Sequence, residues 1–98
     1  MDISAAEFKS RHHHPNAFVI IDVRETLEFS TFNVGGENIP LGNLLRDPED
    51  LEFAKDDEIV VICQRGLRSE TAASALKQQG YSNVRNLTGG LLALNKIS

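Results

Sequence analysis

The stretch VVICQRGLRS, Val60 to Ser69, opens on an apolar run of four residues that ends in Cys63, the only cysteine of the chain. A thiol attacks as its thiolate, and the thiolate fraction is set by nearby charges and dipoles. Gln64, Arg65, Gly66, Leu67 and Arg68 read as a loop curled round the sulfur, with backbone N–H groups turned inward as an anion cradle. Ser69 reads as the cap of a following helix, whose positive end adds about half an elementary charge. Arg65 and Arg68 add full charges that do not titrate, and Gly66 permits a backbone conformation closed to most residues. Together these features predict an exposed, ionised sulfur with a depressed pKa. The plainer reading of a lone cysteine is a small buried hydrophobe. A core position, however, does not require two arginines and a glycine directly after it.

One cysteine leaves no C-x-x-C partner and no resolving thiol, which disfavours thioredoxin-like exchange. Two other reactions use a cradle round a single thiolate. Phosphoryl transfer is one, but cysteine phosphatases space Cys and Arg one residue wider than Cys63 and Arg68, and Ser69 holds that wider position. A cradle this short suits a persulfide sulfur or a sulfonate-sized group better than a phosphate ester. Sulfur transfer is the favoured chemistry: Cys63 takes a sulfane sulfur, becomes a persulfide and passes the outer sulfur on.

The elements that must position this loop follow from pattern. Ser4 and Glu7 have capping-box spacing ahead of a helix through Arg11 that breaks near Pro15 and Asn16. Phe18–Asp22 and Glu58–Cys63 are continuous apolar runs, as expected of strands buried on both faces. RETLEFSTF predicts a short helix with Leu27 and Phe32 inward, VGGEN a turn, and Ile39–Leu41 a short edge strand carrying a proline. GNLLRDPEDLEFAKDD holds one or two helical turns. SETAASALKQQG predicts a helix with Ala72, Ala75 and Leu76 on one face and Gly80 as its stop. Asn83–Leu87 is a third strand, TGG a tight turn and LLALNK a closing helix. Strands alternating with helices predict a single α/β domain over residues 1–98 with a central, mostly parallel sheet. Sites in such sheets lie at the carboxyl ends of strands, where both Cys63 and Asp22 fall.

Four segments in this order resemble the rhodanese-like (thiosulfate sulfurtransferase) domains: VIIDVRETLEF, GGENIPLGNL, VVICQRGLRS and LKQQGYSNVRNLTGG. In finer detail the chain is similar to the rhodanese domains fused to the carboxyl end of adenylyltransferases of molybdopterin and thiamine biosynthesis. The resemblance implies that Cys63 bears the persulfide. It makes Gln64, Arg65, Gly66, Leu67 and Arg68 the substrate cradle, mainly through backbone amides, with Arg68 meeting an anionic donor such as thiosulfate. It gives Asp22 and Arg24 a bracing role near the site, and a buried Arg24 calls for a carboxylate, for which Glu28 is four residues on. Asn33 stands where many family members have a histidine, and Leu94 where an aromatic is common. QRGLR also lacks the Lys–Gly–Val–Thr character associated with thiosulfate use, which keeps a protein or small-molecule persulfide donor in view. The implied partners are a sulfur donor and acceptor, including a sulfur-carrier protein or a fused adenylyltransferase domain. The alternatives are an interaction or regulatory module of the same fold with Cys63 idle and, more remotely, a small cysteine phosphatase or arsenate reductase.

Composition agrees. The chain has 98 residues, 41% hydrophobic and 24% charged, with a net charge of −4, which argues against a nucleic-acid surface. No apolar stretch suits a membrane span or a signal peptide. A single cysteine points to a reducing, cytoplasmic setting. No metal or organic cofactor is required by this chemistry. His12–His14 read as solvated loop histidines, because adjacent residues rarely converge on one ion, and the TGG turn reads as only a turn.

Overall fold

The computed structural model describes residues 2–14 and 17–97, so the helix break expected near Pro15 and Asn16 lies outside the described residues. The strands among them are β1 (Asp2–Ile3), β2 (Val19–Asp22), β3 (Glu37–Asn38), β4 (Ile59–Ile62) and β5 (Val84–Leu87). The helices are α1 (Ala5–Arg11), α2 (Thr26–Thr31), α3 (Leu41–Arg46), α4 (Leu67–Gln78) and α5 (Gly90–Lys96), with a 3-10 turn at Pro48–Asp50. They form one α/β fold. The sheet order is β1-β5-β4-β2-β3, and every neighbouring pair is parallel. No helix among the described residues is long and apolar enough to cross a membrane.

β4 is buried along its whole length because helices cover both faces, which is why its sequence is an unbroken apolar run. Successive side chains of a strand point to opposite faces. Ile59, Val61 and then Cys63 therefore join Leu44, Ala72 and Leu76 on the side of α3 and α4. Val60 and Ile62 join Phe8, Leu91 and Leu94 on the side of α1 and α5. This parity delivers the cysteine to the start of α4.

The structure departs from the pattern reading in several places. β1 was not anticipated; its two residues pair with Asn86 and Leu87 and are too few to carry a periodic signal. The edge strand lies at Glu37–Asn38, not Ile39–Leu41, because Pro40 has no N–H to extend the ladder and instead starts α3. α2 forms, but Leu27 is 78% and Phe32 50% exposed, so neither faces the core. Ser4 caps α1 by accepting from the Glu7 N–H at 3.1 Å, while the Glu7 carboxylate is drawn to Arg11 and Arg85. The true capping box belongs to α2, between Glu25 and Glu28. His12 is not a free loop residue: it ends α1 and stacks on Phe8 at 4.9 Å. The expected stop holds, since Gly80 follows α4 with φ of 97°.

Leu76→Ala should cost about 2–5 kcal/mol of stability in chemical denaturation, as expected of a fully buried leucine. Leu27→Ala should stay within about 0.5 kcal/mol.

Candidate active site

Cys63 follows the last residue of β4, and three residues later Gly66 takes φ of 91°. That left-handed turn starts α4 at Leu67, which places Ser69 in the first turn of the helix instead of at its cap. The amides of a first turn have no intrahelical acceptor. Here no side chain caps α4. The Cys63 Sγ fills that role, accepting from the N–H of Gly66 at 3.1 Å and of Ser69 at 3.4 Å. The Ser69 Oγ lies 3.3 Å from the same sulfur.

The carbonyls of the loop are held from the other side. Leu91 N–H donates to Cys63 O and Leu92 N–H to Gln64 O, both at 3.0 Å. These donors are first-turn amides of α5, so the TGG turn does more than reverse the chain. A Cβ on Gly90 would fall 2.4 Å from Cys63 O and 2.5 Å from Gln64 O, so only glycine lets α5 approach this closely. With the Gln64 carbonyl turned toward α5, the Arg65 N–H that follows it is turned toward the sulfur.

Burial pushes the Cys63 thiol up; a hydrogen bond from the Ser69 hydroxyl, when its proton is turned to the sulfur, and those from the N–H groups of Ser69, Arg65 and Gly66 outweigh it, leaving the thiol below its ordinary range. The expected depression holds. Of the expected sources the inward amides act, together with the Ser69 hydroxyl, whereas the two guanidinium groups are not among the leading causes. Arg65 is exposed. Arg68 grips the Glu28 carboxylate with two bonds of 2.7 and 3.0 Å, which largely cancels its charge. That bond, then the Glu25 N–H, holds Glu28 down at about 2. The contribution of this pair is present above the usual carboxylate range and lost only as pH falls through about 2; with both side chains 37% exposed it is modest.

Arg24 does not pair with the Glu28 carboxylate. Arg24 precedes α2, so the helical spacing that would align the two does not apply. Its guanidinium instead clasps the fully buried Asp22 at 2.8–3.2 Å and donates to the carbonyl of Phe32 at 2.7 Å and, more weakly, that of Glu28. Asn38 ties the same corner through the carbonyls of Asp22 and Arg24. Asp22 and Arg24 thus brace the end of β2 beside β4, as their bracing role implied. Asn33 closes the turn after α2, accepting from Gly35 N–H at 2.9 Å.

The sulfur is not exposed. Cys63 is fully buried at the floor of a hollow of about 270 Å³ lined by Glu28, Gln64, Arg65, Leu67 and Arg68. The expectation of an open thiol is corrected: the same amides that embrace the sulfur cover it. A larger hollow of about 660 Å³ lies at the opposite end of the sheet, between Phe18, Gly36 and Glu58. The described residues contain no cluster of metal-ligating side chains. Pattern reading missed Asn86, which sits beneath the site on β5. It accepts from the Ser69 hydroxyl and donates to the Gly66 carbonyl at 3.1 Å.

The chain matches the family described as Rhodanese-like domain over residues 4–96. It is a member of that family. Bacillus subtilis YrkF, whose name proposes a sulfur-carrier role, is 36% identical over 92% of this chain and 48% of its own length. The adenylyltransferase and sulfurtransferase UBA4 of Candida albicans is 31% identical over 91% of this chain and 22% of its own. The chain thus spans half or less of both relatives. A rhodanese-related protein from Thermoplasma volcanium superposes with a TM-score of 0.83 at 30% identity, covering 99% of this chain and 92% of that one.

Gly90→Ala should raise the Cys63 pKa by roughly half a unit or more, because displacing α5 from the loop carbonyls turns the amides from the sulfur. The pH dependence of alkylation measures it.

Proposed function

We propose that this chain transfers sulfane sulfur, carrying it as a persulfide on Cys63. The observation that supports it most directly is the pair of backbone N–H groups, Gly66 and Ser69, aimed at the cysteine sulfur at 3.1 and 3.4 Å. Amides so placed stabilise negative charge at the sulfur before attack and near it afterwards. The relative named sulfurtransferase supports the same chemistry.

In the first half-reaction the Cys63 thiol gives its proton to solvent. The Sγ bonds to the sulfane sulfur of the donor as the donor's own bond to that sulfur breaks, and the electron pair leaves with the donor remnant, sulfite in the case of thiosulfate. In the second half-reaction an acceptor thiolate or cyanide bonds to the outer sulfur, and the Sγ–S electron pair returns to Cys63. No external oxidant or reductant is used, and no cofactor enters either step.

The engagement of Arg68 by Glu28 bears on the donor. A guanidinium already closed on a carboxylate offers little to a free dianion, so a thiol-based persulfide, small or protein-borne, suits the resting site better than thiosulfate. A second reading, a module that keeps the fold with Cys63 idle, draws its support from the complete burial of that residue.

Incubation with a persulfide donor should add one sulfur atom to the intact mass, and Cys63→Ala should abolish the addition. No added sulfur from any donor would select the idle module. Glu28→Gln should release Arg68, lower the Cys63 pKa by removing a nearby negative charge, and lower the KM for thiosulfate roughly 2–5-fold in a thiocyanate-forming assay.

A further inference from the structure

The hydrogen bonds beneath Cys63 fix where each proton lies. The Gly66 carbonyl can only accept, so the Asn86 group facing it at 3.1 Å is the amide nitrogen. The other end of that amide, Oδ1, therefore faces the Ser69 hydroxyl. Oδ1 carries no proton, so in this contact the hydroxyl is the donor. Ser69 has only one proton to give. While it is given to Asn86, Ser69 meets the Cys63 sulfur at 3.3 Å with lone pairs alone. Such a contact accepts from a thiol S–H and opposes a thiolate. To assist the thiolate, Ser69 must turn its proton from Asn86 to the sulfur and leave a buried amide oxygen unpartnered. Asn86 is only 5% exposed, so water does not readily replace that bond.

We infer that Asn86 is a positioning residue that competes with the Cys63 sulfur for the single proton of the Ser69 hydroxyl. Its effect on catalysis rests on the persulfide reading above; its effect on the thiol does not. In the empty site, ionisation of Cys63 costs the Ser69–Asn86 bond. The sulfur is thereby held closer to an ordinary thiol than its amide cradle alone would leave it, and a thiolate of higher pKa is the stronger nucleophile. In the loaded site the negative charge sits on the outer sulfur and Sγ no longer titrates. The Ser69 proton can then stay on Asn86 without conflict, so the network favours the sulfur-bearing form over the bare thiolate. The charged groups round Cys63 lie on other elements. They are Arg68 with Glu28 at the rim, exposed Arg65, and the Asp22–Arg24 pair at the end of β2.

The test uses the full chain and the pH dependence of alkylation by iodoacetamide, with folding followed by thermal melting. Asn86→Leu, close in size and lacking both polar atoms, frees the hydroxyl for the sulfur. It should lower the Cys63 pKa by about one unit, the scale of one hydrogen bond to a charged group. It should also slow the plateau rate at high pH about threefold, because nucleophilicity falls with pKa. In a Ser69→Ala background the same substitution should leave the pKa where Ser69→Ala alone puts it. An unchanged or raised pKa with Asn86→Leu, or an equal drop in both backgrounds, overturns the proposal. Should Asn86→Leu fail to fold, Ser69→Ala alone decides. A change smaller than a full unit agrees with a proton already shared with Asn86, whereas a rise of about one unit or more means the hydroxyl serves the thiolate outright. Alkylation needs no sulfur donor, so these outcomes are independent of the intact-mass test of persulfide formation.

Discussion

The first amides of α4 have no acceptor within the helix, and the Cys63 sulfur takes them in place of a cap. Much else serves that contact. β4 has to end where strand parity points residue 63 toward α4. Gly66 has to turn left-handed so that the helix begins within hydrogen-bond reach of the thiol. α5 has to press on the loop closely enough to hold the carbonyls of Cys63 and Gln64 away from the sulfur. Loss of any one of these would leave a helix start without a cap and a thiol without donors.

The electrostatics follow from geometry more than from formal charge. A chain with net charge −4 and an arginine pair in its reactive loop invites an account built on guanidinium groups. Yet Arg68 is closed on Glu28 and Arg65 is exposed, while short, oriented N–H groups act on the sulfur inside the fold. Fixed dipoles at about 3 Å in a buried setting are screened little by solvent, whereas exposed charges are screened strongly. Three of the remaining arginines serve the scaffold. Arg24 clasps Asp22, and Arg11 and Arg85 share Glu7 and Glu58 beneath the sheet.

What the chain announces locally is what its sequence made legible. The apolar run of β4, its abrupt end on Cys63, the α4 pattern with its glycine stop, and the four family segments all depend on near neighbours. Ser69 looks like a cap, which puts the start of α4 three residues late, and nothing in the order of residues says that a sulfur six positions earlier has taken that part. Glu28 was assigned to Arg24 on helical spacing and went to Arg68, 40 residues away. Asn86 was invisible for the same reason: a polar residue in a strand reads as surface, and its partners Ser69 and Gly66 lie 17 and 20 residues back. Interactions across such distances are products of the fold and have no periodic signature.

The hold of α5 on the carbonyls of Cys63 and Gln64 also sets an order of events in the life of the chain. A strand bearing the thiol is synthesised well before the helix that orients its loop, and β5, which carries Asn86, also comes later. Until those last elements dock, residue 63 is a thiol without its ring of amides, with the modest reactivity of any cysteine in an open chain. Activation of the sulfur thus coincides with completion of the tertiary structure, which spares a growing polypeptide from carrying a reactive thiolate in an unprotected state.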